Sequence, residues 1–168
     1  PNPGDIILDI GAYIGNNLIR YATDGHLIDG VEIGEGYMET WEARRAKLDP
    51  EVSARTRMCC IPFEWWGADR TYDQILCCEV LEHVSDPETF VWKAASLLAP
   101  GGGLFLSTPA KQTRTSARLV TGGDMQQWCE DAGLSVTRVF QIDPVKAKEG
   151  PSDWGVSQTI CIATKRGE

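Results

Sequence analysis

Seven short blocks rich in aliphatic and β-branched residues punctuate the chain, at 6–10, 26–32, 56–62, 73–78, 104–108, 135–142 and 158–164. Blocks of this length without strict alternation predict strands, several of them covered on both faces. Most of the text between the earlier blocks has helical character. Residues 16–22 follow the first block, and 36–48 follow the second with Tyr37, Trp41 and Leu48 on one face. Asp49-Pro50 reads as the stop of that helix. Ser85-Asp86-Pro87-Glu88 opens another, running to about Leu98, because it joins a capping side chain, a first-turn proline and an acid at the positive end of the dipole. Residues 63–67 read as an aromatic loop, and 124–132 as a short helix ended by Gly133. The last two blocks have no helical pattern between them, which predicts an antiparallel pair across a long loop spanning 143–155. Strands alternating with helices predict an α/β fold, a mostly parallel sheet with helices on both faces.

The first corner carries the chemistry. Ile6-Ile7-Leu8-Asp9-Ile10 runs into Gly11-Ala12-Tyr13-Ile14-Gly15 and then a helix, so a strand, a glycine turn and a helix N-terminus meet. Glycine lets such a turn take positive φ and lets a ligand approach the backbone. In an open parallel sheet, ligands sit at the carboxyl ends of the strands. That rule gathers the Gly11–Gly15 loop, Glu32 at the end of the second strand, and Cys78-Glu79 at the end of the fourth around one crevice. A dinucleotide site needs G-x-G-x-x-G to admit a pyrophosphate. Asp9-x-Gly11-x-x-x-Gly15 instead sets a carboxylate beside the turn, which opposes pyrophosphate and suits a cation such as a sulfonium or an amino group.

Composition narrows the partners. The 168 residues are a single domain's worth, enough to bury roughly 70% of the unfolded surface. Sixteen Lys and Arg against 24 Asp and Glu give a net charge of −8, a field that repels a nucleic-acid backbone. Neither a membrane span nor a signal peptide is visible, so a cytoplasmic location is expected. The six cysteines lack C-x-x-C spacing and lie mostly in apolar text, as buried free thiols do. The chain begins at Pro1, directly before its first strand, and removal of a preceding segment is an expectation.

Four motifs in order resemble those of the Rossmann-like, class I S-adenosylmethionine-dependent methyltransferases. They are Asp9-Ile10-Gly11-Ala12-Tyr13-Ile14-Gly15, Gly30-Val31-Glu32, the stretch from Tyr72 through Cys78-Glu79-Val80-Leu81-Glu82-His83-Val84, and Leu98-Ala99-Pro100-Gly101-Gly102. The resemblance implies a three-layer sandwich around a seven-stranded sheet of order 3-2-1-4-5-7-6, mostly parallel with an antiparallel last strand. It implies an enzyme (EC 2.1.1.-) that uses S-adenosyl-L-methionine and releases S-adenosyl-L-homocysteine. The cofactor-binding residues it implies are Asp9, Gly11, Ala12, Tyr13, Gly15, Glu32, Ile33, Cys60, Ile61, Cys78 and Glu79. Glu32 would hold the ribose, Gly11 and Cys78 the methionine part, and Cys60 and Ile61 would flank the adenine. Tyr13 stands where family members often have glycine, and no acid appears between Met58 and Phe63 to meet the adenine amino group. Residues 1–168 are expected to be one methyltransferase domain without the N-terminal substrate-recognition extension common in the family.

Glu79 and His83 are the candidate catalytic residues. An unperturbed imidazole titrates near about 6.5, suited to taking a proton from an acceptor hydroxyl; His83 equally suits a local backbone cap. Glu79, Glu82 and His83 form an E-x-x-E-H pattern similar to that of ubiquinone-biosynthesis O-methyltransferases and of small-RNA 2′-O-methyltransferases, where a divalent metal helps hold the acceptor. The second histidine of the RNA enzymes has no counterpart but His26, at the opposite end of the sheet. The leading expectation is a small-molecule methyl acceptor, methylated at oxygen. A catalytically silent cofactor-binding domain and a metal-assisted RNA methyltransferase are the alternatives. Trp65 and Trp66 read as adenine walls or packing, and Lys111, Arg114 and Arg118 as an acceptor-binding patch or a solvated face. An open crevice further suggests a homodimer or a partner subunit as its cover.

Overall fold

A computed structural model describes residues 1–142 and 157–167. The strands are β1 (Ile6–Ile10), β2 (Leu27–Glu32), β3 (Thr56–Cys60), β4 (Tyr72–Cys78), β5 (Leu98–Pro109), β6 (Leu134–Ile142) and β7 (Gln158–Lys165). They form one sheet in the order β3-β2-β1-β4-β5-β7-β6. Neighbours from β3 to β5 pair in parallel, while β7 runs antiparallel to both β5 and β6. The expected strand order and the antiparallel terminal pair are therefore present. The loop expected over 143–155 lies outside the described residues, apart from its flanking strands.

Among the described residues, five α-helices cover the two faces: α1 (Asn16–Thr23), α2 (Glu35–Arg45), α3 (Pro50–Ala54), α4 (Pro87–Leu97) and α5 (Gly122–Asp131). Leu18 and Ala22 of α1 and Trp41 of α2 pack with Ile7, Ile28 and Met58 on one face. Phe90, Val91 and Ala94 of α4 and Met125 and Cys129 of α5 pack with Leu8, Ile75, Leu104 and Cys161 on the other. Two local rules account for the starts of α4 and α5. Asp86 caps α4 by accepting from the Thr89 N–H at 3.1 Å. Thr121 and Asp124 close a reciprocal capping box on α5.

One expectation needs correction. Asp49-Pro50 does not merely stop a helix; Pro50 occupies the first turn of α3, where its missing N–H costs nothing.

The strand order turns at β1 and β4: β2 and β3 lie to one side of β1, whereas the chain returns to place β4 on the other. A crevice opens there at the carboxyl ends, as the switch-point rule requires.

Candidate active site

The loop after β1 is built by backbone constraints before any ligand arrives. Gly11 and Gly15 have φ of 75° and 77°, in the left-handed region. A Cβ on Gly11 would run into Val80 Cγ2, and one on Gly15 into the Trp41 ring, so both positions need glycine for space as well as torsion. The N–H groups of Gly11 and Ala12 both donate to the Val31 carbonyl, at 2.9 and 3.1 Å, tying the loop to β2.

Tyr13 also lies in the left-handed region, with φ of 51°, although its side chain is bulky. Two contacts hold it. Its N–H donates to Glu32 Oε2 at 2.8 Å, and its ring lies 4.4 Å, centroid to centroid, from that of Tyr37. Strained non-glycine residues persist when their surroundings over-determine them, and they concentrate at functional sites. Tyr13 is 49% exposed, so its ring borders the crevice without filling the floor.

Glu32 is the hub of this side. Its Oε1 accepts from Ile33 N–H at 2.8 Å and Gly34 N–H at 2.9 Å, while Oε2 takes the Tyr13 N–H. A carboxylate offers about four acceptor positions, so about one remains, on Oε2, for a ligand hydroxyl. Asp9 lies behind the loop, 2% exposed, with Asn17 Nδ2 donating to it at 3.3 Å. Burial, with a smaller push from the Glu32 charge and against the Asn17 bond, raises its pKa to about 7.

The opposite wall follows β4. Glu79 has φ of 57° and accepts from Ser107 Oγ at 3.2 Å. Burial first, and the charge of Glu82 second, raise its pKa to about 7, against smaller opposing effects of Ser107 and His83. Glu82 is buried, its Oε2 without a hydrogen-bond partner and its Oε1 3.7 Å from His83 Nε2. Burial raises its pKa as well. Burial pushes the Cys78 thiol up to about 12, which leaves it a neutral wall group rather than a nucleophile.

These walls enclose a cavity of about 660 Å³. Of the residues predicted to bind cofactor, Gly11, Tyr13, Glu32, Ile33, Ile61, Cys78 and Glu79 border it, as does His83. Asp9, Ala12, Gly15 and Cys60 do not border it. Asp9 is buried behind the loop, Ala12 is a buried residue within it, Gly15 caps α1 beneath Trp41, and the Cys60 thiol donates to the Ile33 carbonyl at 3.7 Å. They shape the wall from behind.

Trp65 and Trp66 are also displaced from the cavity. Trp65 is 78% exposed, and Trp66 is buried in the core beneath the Arg57 guanidinium. Their place is taken by Phe63 and Glu64, which sequence reasoning missed. Glu64 lies one residue beyond the stretch searched for an acid, on a short 3-10 turn (Phe63–Trp65). Arg118 does not reach the cavity but donates to the Ser85 carbonyl at 2.8 Å, and Lys111 and Arg114 are exposed. His26 is buried before β2, against Tyr21. Among the described residues, no three His, Cys, Asp or Glu side chains converge as a metal cluster, because Glu79 turns to Ser107 and Glu82 turns inward.

A glycine-turned crevice at the switch point of a Rossmann-like sheet, walled by carboxylates and with no lysine or arginine among the described residues that line it, suits a cationic ligand better than a phosphate. Comparison with known proteins gives the family. The family model of a methyltransferase domain matches residues 1–139. A ubiquinone biosynthesis O-methyltransferase of Coxiella burnetii is 26% identical over 181 aligned positions, which cover 95% of this chain and 74% of that protein. One from Leptothrix cholodnii is 26% identical over 83% of this chain and 68% of its own length. Among solved structures, magnesium protoporphyrin IX methyltransferase from Synechocystis PCC 6803, with bound S-adenosylmethionine, superposes with a TM-score of 0.75. It is 20% identical and is matched over 97% of this chain and 71% of its own. The cyclase SpnF superposes at 0.80 with 16% identity, over 99% of this chain and 77% of its own. The chain belongs to the methyltransferase domain family and is a class I S-adenosylmethionine-dependent methyltransferase.

Proposed function

We propose that the protein methylates a small, uncharged acceptor at oxygen, with Glu79 as the group that takes the acceptor's proton. The observation that carries this reading is Glu79 itself: a cavity-lining carboxylate, fixed in a left-handed backbone and by Ser107, with a pKa raised to about 7. A general base works best when its pKa lies near the working pH. The ubiquinone biosynthesis relatives, whose name states an O-methylation, support oxygen as the target atom.

The donor set fits S-adenosylmethionine. Glu32 offers an acceptor to a ribose hydroxyl, Ile33 and 61–64 form an apolar and acidic wall for the base, and Gly11, Tyr13 and Cys78 bound the methionine end. When bound, the cofactor supplies an electrophilic methyl group on a positively charged sulfur. Ionised Asp9 and Glu79 favour that charge. Gly11 keeps the loop low enough for close approach, and the Tyr13–Tyr37 pair stands at the rim. Val80, His83 and Val84 bound the acceptor end, where holding the nucleophile in line is worth up to about 7–11 kcal/mol. Glu79 receives the proton as the acceptor oxygen loses it. The lining carboxylates Glu32, Glu64 and Glu79, with no lysine or arginine among the described residues of the lining, disfavour anionic acceptors.

The test is methyl transfer from S-adenosylmethionine to a panel of neutral catechols and phenols, followed as S-adenosylhomocysteine. Turnover of at least one acceptor is expected, and Glu79→Gln should lower kcat about 100-fold or more while affinity for S-adenosylhomocysteine, whose sulfur is neutral, changes little. Cofactor binding with no turnover across the panel would favour a catalytically silent domain. Glu79→Gln with full kcat would remove Glu79 from the reaction.

A further inference from the structure

The cavity wall formed by residues 61–64 has no strand or long helix to hold it. It is one turn in the connection from β3 to β4. Two sets of contacts, centred on residues that do not line the cavity, fix it from outside. The first centres on Arg57 in β3. Its Nε and Nη2 grip Asp29 of β2 at 2.9 and 2.7 Å, and its Nη1 and Nη2 reach Asp69 in the connection at 3.2 and 3.0 Å. The same guanidinium lies 5.1 Å from the ring of Trp66, two residues after Glu64. Tyr72 Oη donates to Asp29 at 2.8 Å, and Arg70 Nε to Asp69 at 3.2 Å, so both carboxylates are held from a second side. The second set is one residue. Lys93 of α4 donates from Nζ to the Glu64 carbonyl at 2.7 Å and lies 5.2 Å from the Phe63 ring.

Asp29 is 5% exposed, and a buried carboxylate is retained only where it is paired. Arg57 is suited to the pairing because one planar fork can serve two carboxylates and stack on an indole at once, which lysine cannot do. The connection is thereby bound at 69 and 66 to the sheet, and at 64 to the helix layer on the same face.

We infer that Arg57 and Lys93 are positioning residues, the two points of a clamp that sets the 61–64 wall and through it the affinity for the nucleobase end of the cofactor. The link to affinity rests on the proposed placement of the cofactor; the clamp itself does not. Wall mobility is therefore measured separately from binding.

The test uses the whole chain with Arg57→Lys, Asp69→Asn and Lys93→Met, and Glu51→Ala as the control. Glu51 of α3 makes an ion pair with Arg55, just past the helix end, and does not line the cavity. The Asp69 and Lys93 variants leave the buried Asp29–Arg57–Tyr72 set intact, so folding is retained even if Arg57→Lys folds poorly. Hydrogen exchange is read at the amides of 61–66, including the Trp65 and Trp66 N–H groups bonded to Pro62 and Phe63. Calorimetry reads the dissociation constant of S-adenosylhomocysteine. Faster exchange confined to this segment is expected in all three variants, absent in Glu51→Ala. The dissociation constant should rise about two- to fivefold in Asp69→Asn and roughly tenfold in Arg57→Lys, with kcat at saturating cofactor within about twofold of the parent. Unchanged exchange at 61–66 in Asp69→Asn and Lys93→Met would overturn the clamp whether or not ligand binds. Faster exchange with unchanged affinity would overturn its link to the cofactor. Failure of the parent protein to bind would instead count against the cofactor site, with the exchange data still deciding the clamp.

Discussion

Replacing Glu32 by glutamine swaps one carboxylate oxygen for an NH₂ group in a place where every neighbour is a donor. Three backbone N–H groups point at the side chain, from Tyr13, Ile33 and Gly34, at 2.8 to 2.9 Å. The better of the two amide orientations keeps oxygen toward Ile33 and Gly34 and turns NH₂ against the Tyr13 N–H. One charge-assisted bond is lost, about 1.5–3 kcal/mol, and two donors are left facing each other. Tyr13 then sits at positive φ without the bond that holds it there, a strain of about 1–3 kcal/mol that relaxation of the loop would relieve. A net loss of about 2–3 kcal/mol corresponds to a melting temperature lower by roughly 5–10 °C in a domain of this size. The remaining acceptor position on Oε2 is lost too, so S-adenosylhomocysteine should bind at least about tenfold more weakly, the equivalent of about 1.4 kcal/mol. Scanning fluorimetry and calorimetry measure both. A melting temperature within about 2 °C of the parent, with affinity within about threefold, would refute the role given to Glu32.

Other consequences concern protonation and the glycine turn. Ser107→Ala removes a bond that favours ionised Glu79, so the acidic limb of the kcat/KM profile, expected near pH 7, should move to higher pH; an unmoved limb would exclude Glu79 as the titrating base. Asp9 and Glu79 both have pKa values raised above those of the unfolded chain, to about 7. The folded state thus binds more protons between about pH 4 and 7, and stability from these groups falls as pH rises through that window. Melting temperatures should therefore drop from pH 5.5 to 7.5 by more in the parent than in Asp9→Asn. Gly15→Ala forces a Cβ into the Trp41 ring at a positive φ and should cost more than about 2 kcal/mol by denaturant titration, whereas Gly25→Ala, with open space but a similar torsion, should cost less.

How far the chain could be read beforehand depended on how local each determinant is. The strands were legible where each is an apolar block, although β5 begins at Leu98, ahead of its block at 104–108. The start of α4 was legible because its cap is written within four residues at Asp86–Thr89, whereas α5 was placed from Asp124 and begins at Gly122, its Thr121 cap unread. The start of α3 was equally local but was masked by proline, which marks either the end or the first turn of a helix. The crevice loop was legible through Gly11 and Gly15, yet the cause of their being glycine, Val80 and Trp41 across the fold, was not. Tyr13 posed the one open structural question in that loop, and its φ of 51° together with the Glu32 bond answers it: the loop is held in place with tyrosine at that position. Glu64 was not singled out because no acid was sought beyond Phe63, and a 3-10 turn places Glu64 on the cavity one residue later. The contacts among Asp29, Arg57, Asp69, Tyr72 and Trp66 join residues up to 43 positions apart, and no periodicity encodes them. Trp66 thus resembled a ligand wall in sequence while serving as the underside of Arg57.

The central claim is that the carboxylate-walled crevice holds a sulfonium nucleoside, and calorimetric titration with S-adenosylmethionine and S-adenosylhomocysteine across pH 6 to 8 tests it most directly. Both should bind at one site per chain. The preference for S-adenosylmethionine should increase as the pH passes about 7, because ionised Asp9 and Glu79 attract the positive sulfur and are indifferent to the neutral one. Absence of binding by either compound, or a preference that stays constant with pH, would contradict the account.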